Sequence, residues 1–182
     1  DLKLIIQAIT NEKNEFKKIQ NKALILIGFA GGFRRSELVS IEYEDVDFVN
    51  EGVKINIKKS KTDQVGIGMI KAIPYFENTK FCPVVSLKEW INYAKINSGR
   101  IFKISDKSVA LIVKKYALIS GLDHSKYAGH SLRSGFATST AETGADERSI
   151  MAMTGHKTTQ MVRRYIQEAN LFKNNALNKI KI

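Results

Sequence analysis

From Ala23 to Ala30 the chain reads Ala-Leu-Ile-Leu-Ile-Gly-Phe-Ala, eight positions without a single polar side chain. Phe16 and Ile19 lead into this run at helical spacing, so the stretch predicts one helix whose second half is apolar on every side. Such a helix has no face to offer water and belongs in the middle of a fold, covered by other elements. It is far too short to span a bilayer. Gly31-Gly32 ends it.

The covering elements can be read on either side. Leu2, Ile5, Ile6 and Ile9 form a helical stripe ahead of it. After it come three short strands: Val46 to Val49, a turn at Asn50-Glu51-Gly52, then Val53, Ile55 and Ile57 alternating with polar residues, then about Ile67 to Ile73, stopped by Pro74. Cys82-Pro83 opens a helix with Leu87, Trp90, Ile91 and Ala94 on one side, and Trp90 reads as a core anchor. Arg100 to Ile104 predicts a short extended piece, and Val109, Ile112, Val113, Tyr116 and Ala117 another helix, with Lys114 and Lys115 outside its stripe. Leu132, Phe136, Ala137 and Ala141 predict a helix stopped by Gly144, and Asp146 can cap a shorter one that ends at Gly155. Leu171, Phe172, Ala176, Leu177 and Ile180 make a small amphipathic tail. The fold class expected is α+β, mainly α, with a small three-stranded antiparallel sheet.

At 182 residues and 43% apolar content the chain suits one domain with a real core. It carries 29 Lys plus Arg against 18 Asp plus Glu, a net charge of +11, which points to a polyanion, most often nucleic acid. Since 22 of those 29 cations are Lys, a lysine-rich proteome would leave the same mark. Cys82 is the single cysteine, so an internal disulfide and a cysteine metal site are both excluded, and a reducing, cytoplasmic setting fits. The start, Asp1-Leu2-Lys3, has neither an initiator Met nor a signal-peptide pattern, as expected of an excised domain.

The chemistry-bearing residues cluster late. His130 and Arg133 stand three apart, so on a helix both project from one face. His156 follows Gly155, and Tyr165 comes nine residues later. A guanidinium fork grips two phosphate oxygens, imidazoles add N–H donors, and a phenol can attack phosphorus to form a covalent ester. Such a site needs no metal where fixed donors surround the phosphate. Taken singly, a His-x-x-Arg pair is common, and Tyr165 shares helical spacing with Met161, Val162 and Ile166 as a core tyrosine would. Upstream, Phe33-Arg34-Arg35-Ser36-Glu37-Leu38 follows the buried helix, with Ser36 able to cap the next one and so hold an arginine at a rigid junction. The polar tip Lys58-Lys59-Ser60-Lys61-Thr62-Asp63-Gln64 reads as a solvated loop or a nonspecific phosphate contact. His124 reads as a surface residue.

His130-Ser-Leu-Arg133, Thr154-Gly155-His156 and Arg164-Tyr165 together resemble the C-terminal signature of the tyrosine recombinase (phage integrase) family, and Gly32 to Leu38 resembles its first arginine box. The resemblance runs from about Ala23 to Leu177. Ser134 stands where many members carry a second His, and Thr154 where Leu usually precedes Gly-His. What the resemblance implies is a catalytic domain of the DNA breaking-rejoining type over residues 1–182, lacking the N-terminal domain that closes the other side of a DNA clamp. It assigns Tyr165 as nucleophile and Arg34 and Arg133 to the phosphate oxygens. His130 and His156 become donors to the same phosphate, and Glu37 a carboxylate that orients the basic cluster. Lys61, chosen over Lys58 and Lys59 because Ser60-Lys61-Thr62 resembles the phage form, would protonate the leaving 5′ oxygen.

Arg35, Lys58, Lys59, Lys157 and Arg164 are expected on the DNA backbone. The partners implied are double-stranded DNA, further copies in a tetramer on DNA, and accessory DNA-bending proteins. No metal, ATP or other cofactor is called for. The tail, residues 169–182, either docks on its own domain or is exchanged between protomers. Two other outcomes share these residues: a type IB topoisomerase-like or resolvase-like enzyme, and a DNA-binding prophage remnant without catalysis.

Overall fold

The computed structural model describes residues 1–58, 68–156, 158–170 and 178. Eight helices are formed among them: α1 (Leu2–Thr10), α2 (Glu15–Ala30), α3 (Arg35–Ser40), α4 (Pro83–Tyr93), α5 (Asp106–Ile119), α6 (Ser131–Glu142), α7 (Glu147–Thr154) and α8 (Thr159–Asn170). Strands β1 (Val46–Val49), β2 (Gly52–Ile57) and β3 (Met69–Pro74) make one antiparallel sheet in the order β1-β2-β3. The fold is mainly helical with this small sheet, as expected.

The apolar run takes the central place its composition demands. Helix α2 packs against α1, α3, α4 and α6, and Ala23 to Ile27 are fully buried. Asn14 caps its start, accepting a hydrogen bond from the Lys17 amide at 2.9 Å. Phe16, read as part of the same buried stripe, departs from expectation: it is 48% exposed and stands edge-on to Trp90 with ring centroids 5.0 Å apart. It lies in the first turn of α2, where one face is covered by α4 and the other is open. Trp90 is the anchor expected, buried, with its indole N–H donated to the Ile101 carbonyl at 3.0 Å. The expected extended piece after Arg100 forms one bridge, Arg100 to Glu42, and buries Ile101 and Phe102.

Two local differences have plain causes. Ser36 does not cap α3; Arg34 holds the N-cap position, and the Glu37 carboxylate one turn on accepts the Arg34 amide at 2.9 Å. A carboxylate at that position satisfies the free donor and complements the helix dipole, leaving Ser36 as an exposed residue within the first turn. Gly52, read as part of a turn, is the first residue of β2. A side chain there would meet the Ile73 carbonyl oxygen at 2.1 Å, so only glycine lets β3 come this close.

Strand parity then fixes which residues face inward. Val53 pairs with Ile73, Ile55 with Lys71 and Ile57 with Met69, and directly opposed residues share a face. Val53, Ile55, Ile57 and Ile73 are buried, so Lys71 is carried inward with them. A second, smaller core joins α6, α7 and α8 through Ala137, Ala141, Ile150 and Val162, with Tyr165 and Ile166 packed on it. No helix among the described residues is long and apolar enough to cross a membrane. The hairpin tip with Lys59 and Lys61, Lys157 and most of the tail lie outside the described residues.

Candidate active site

The site is built where helices end. Helix α2 stops at Ala30, and the backbone turns through Gly31 and Gly32 to deliver Arg34 at the start of α3. Gly32 has φ +53°, a left-handed conformation natural to glycine, and a side chain there would press on Phe136 and Thr154. Arg34 then meets Glu37 twice: its amide donates to Oε2, and its guanidinium pairs with Oε1. The carboxylate is buried, so both its oxygens are committed to orienting this one arginine.

Arg133 enters from α6. It is only 5% exposed, and its Nη1 donates to the Gly32 carbonyl at 3.1 Å, which ties α6 to the turn that carries Arg34. Its Nη2 is buried and has no hydrogen-bond partner among the described residues. Burial, and next the charge of Arg34, push Arg133 from 12.5 down to about 10, against the opposing pull of Glu37 and Tyr165. Arg133 stays charged at any working pH. The molecule thus holds a desolvated cation beside another cation with one donor group idle, which is costly unless an anion completes it.

His156 enters from the end of α7. Asp146 caps that helix through the Ser149 amide at 3.0 Å, and Gly155 stops it at φ +65°, both as expected. Thr154 holds the imidazole: its hydroxyl lies 2.8 Å from His156 Nδ1 and 2.7 Å from the Ile150 carbonyl. A hydroxyl has one proton, and the carbonyl can only accept, so that proton goes to Ile150 and the hydroxyl accepts from Nδ1–H. The neutral ring therefore keeps its Nε2 unprotonated. Burial first, then Arg133, Arg34 and Lys71, lower His156 from 6.5 to about 4.

This lowering has a measurable consequence. Between pH 6.5 and 4 the unfolded chain binds the His156 proton and the folded one resists it, so stability falls as pH drops through that window. After allowance for partial solvent screening the loss is about 1–2 kcal/mol. In urea titrations at pH 7 and pH 4.5, His156→Gln is expected to remove that share of the acid loss; an unchanged difference between the two pH values counts against the buried neutral ring.

Tyr165 on α8 is half-buried, with its ring 6.3 Å from that of His156 and inclined 30° to it. Arg34, Arg133, His156 and Tyr165 are thus gathered in one neighbourhood. His130 is the N-cap of α6, one turn before Arg133, with its side chain exposed. Lys71 joins the cluster without having been singled out in the sequence: it is 1% exposed on β3 and interacts with the charges of Glu37, Arg133 and Arg34. No local signal marks it: Ile70 and Ala72 share one face of the strand, and Lys71 shares the other with Ile73. Thr154, noted only as a departure in the motif, is the partner of His156.

The outer cations are placed differently. The Arg35 guanidinium lies against Gly129, where an added Cβ would be 2.3 Å from its Cζ. Lys58 is paired with Glu42 and with Asp45, the latter at 3.1 Å. Arg164 pairs with Glu168 on the exposed side of α8.

The family model described as the phage integrase family matches residues 1–171. The chain belongs to the phage integrase family. An integrase/recombinase XerD homolog of Selenomonas ruminantium is 49% identical over 181 residues, covering 93% of this chain and 53% of that protein. The tyrosine recombinase XerC of Syntrophus aciditrophicus is 31% identical, covering 81% of this chain and 48% of its own length. The chain thus spans about half the length of these relatives. Among solved structures, the XerH site-specific recombinase bound to its difH substrate matches with a TM-score of 0.74 at 20% identity, over 96% of this chain and 52% of that one. The catalytic domain of bacteriophage HP1 integrase matches with a TM-score of 0.62 at 19% identity, over 100% and 95%. This phage integrase family member therefore has the fold of an integrase catalytic domain.

Proposed function

We propose that this chain is the catalytic domain of a site-specific DNA recombinase that cuts and rejoins strands through a 3′-phosphotyrosine. The observation that carries the proposal is the idle Nη2 of buried Arg133, held by Gly32 beside Arg34, His156 and Tyr165. A phosphodiester is the anion that such a cluster fits: planar forks for its non-bridging oxygens, and a phenol at hand for its phosphorus.

In this mechanism Tyr165 Oη attacks phosphorus as its proton passes to an imidazole, with His130 at the exposed end of α6 taking that part. The bond to the 5′ oxygen breaks, and Lys61 gives that oxygen its proton. Arg34 and Arg133 neutralise charge building on the non-bridging oxygens. The phosphate draws a proton onto Nε2 of His156, turning it into a donor. Because the tyrosyl ester keeps the energy of the broken bond, the incoming 5′ hydroxyl of a partner duplex reverses the step without ATP. Exchange between two duplexes cuts four strands with one tyrosine each, so four protomers assemble on the DNA. Arg35, Lys58, Lys59, Lys157 and Arg164 are proposed backbone contacts, with Lys58 and Arg164 first having to leave their present carboxylate partners.

The experiment is a nicked suicide duplex carrying the recombination site, incubated with the full-length protein. A protein–DNA band that survives denaturant and is absent in Tyr165→Phe is the expected result. Binding that is only reversible and salt-sensitive would replace this proposal with a non-catalytic DNA-binding module. Relaxation of supercoils without exchange between two sites would replace it with a topoisomerase-like activity.

A further inference from the structure

Lys71 belongs to none of the steps above, yet it is the most deeply buried charge in the described structure. It reaches inward from β3 and donates to two backbone carbonyls, that of Gly31 at 2.6 Å and that of Met153. Its ammonium also lies 4.5 Å from the centre of the Phe33 ring. An ammonium has three N–H groups. Two are spent on carbonyls and the third direction is covered by the aromatic face, so the group cannot also reach a phosphate.

The two carbonyls explain why a charge is tolerated here. Gly31 caps the C-terminus of α2, and Met153 lies in the last turn of α7. Helix C-termini leave carbonyls unpaired and concentrate negative dipole charge, and a cation answers both. One ammonium therefore joins two helix ends that are far apart in the chain. What leaves those ends is the active site: Gly32, which accepts from Arg133, and then Arg34 on one side; Thr154, Gly155 and His156 on the other.

We propose that Lys71 is a positioning residue for strand cleavage, a clasp between the ends of α2 and α7 that sets the distance from Arg34 and Arg133 to His156. The inference rests on the recombinase reading for its kinetic consequence, but the clasp itself is a property of the DNA-free protein. Glu37 on α3, Arg34 before it, Arg133 on α6 and His156 after α7 are the charged and titratable groups around Lys71. Burial outweighs the help of Glu37 and lowers Lys71 from 10.5 to about 8, so alkali slackens the clasp by removing its third proton and its charge.

Two measurements test this on the full-length protein. In the DNA-free state, NMR titration of the His156 imidazole in Lys71→Met is expected to move its pKa upward from about 4 toward 6.5, further than loss of the Lys71 charge (the least of the causes holding it down) accounts for, because the ring is no longer held in its dry place. On the nicked duplex at saturating DNA, Lys71→Met is expected to slow covalent-adduct formation on the order of 10²-fold while DNA affinity stays within about threefold, since a displacement of 1 Å costs that much. Combined with His156→Ala the two losses are expected not to add, as they act through one geometry. Lys71→Gln, which keeps a donor for one carbonyl, is read in the same way if the methionine variant lacks a cooperative melt.

An unmoved His156 titration, full additivity with His156→Ala, or a loss confined to DNA affinity would each overturn the proposal. So would failure of both variants to fold, which makes Lys71 a residue of the core alone. If the unaltered protein forms no adduct, the recombinase reading fails, and the His156 titration still decides the clasp.

Discussion

Arg133→Ala is expected to slow formation of the covalent protein–DNA adduct by about 10²–10³-fold, the usual cost of losing one preorganised donor to developing negative charge. Arg133→Lys is expected to recover little of this, because an ammonium cannot reproduce a fork that holds the Gly32 carbonyl with one nitrogen and, in the proposed mechanism, the phosphate with the other. The same side chain should have the opposite sign in stability. In the DNA-free protein Arg133 is a desolvated cation repelled by Arg34, with Nη2 unanswered among the described residues. Arg133→Met, which keeps bulk and removes charge, is therefore expected to leave unfolding free energy in urea unchanged or higher by about 1 kcal/mol, as when buried ions give way to apolar residues. A variant both inactive and destabilised by more than about 2 kcal/mol would show that Arg133 serves mainly to pin α6 to the Gly31-Gly32 turn.

Glu37→Gln tests the other half of the electrostatic design. Glu37 is the buried carboxylate facing Arg34, and it also supports the charges of Lys71 and Arg133. The amide keeps the shape and one acceptor but cannot balance three cations, so the change is expected to cost about 3 kcal/mol, in the range for removing one partner of a buried pair. The loss should shrink when tens of millimolar phosphate are added, because without the carboxylate the more cationic cluster holds the anion more tightly, and only in the folded state. Urea unfolding with and without phosphate measures both effects. A loss that phosphate does not alter would mean that the carboxylate matters for the α3 N-terminus rather than for the cationic cluster.

Much of this molecule is legible in its sequence because the signals are local. The helix ending at Ala30 is buried since no arrangement of eight apolar residues can expose a polar face. The cap at Asp146 and the stop at Gly155 follow from groups within one turn of backbone. The residues of the cationic cluster stand in recognisable short words, Gly32 to Leu38, His130 to Arg133, Thr154 to His156 and Arg164-Tyr165, so Arg34, Arg133, His156 and Tyr165 are legible from the sequence alone. Where a local signal has two physical answers, sequence alone does not choose: Ser36 and Glu37 both suit a helix start, and the carboxylate prevails because it also holds Arg34.

What the tertiary structure alone decided is the fate of groups whose partners lie far along the chain. In Ile70-Lys71-Ala72-Ile73 either parity places apolar residues on one face, and period two cannot choose between them. Pairing with β2 turned Lys71 inward, and the carbonyls of Gly31 and Met153, some 40 and 82 residues away, made that burial bearable. Likewise Arg133 needs Gly32, 101 residues distant, to leave one nitrogen idle. A charge can be buried only where distant backbone answers it. That answer is written in the packing of helix ends, which no stretch of sequence contains.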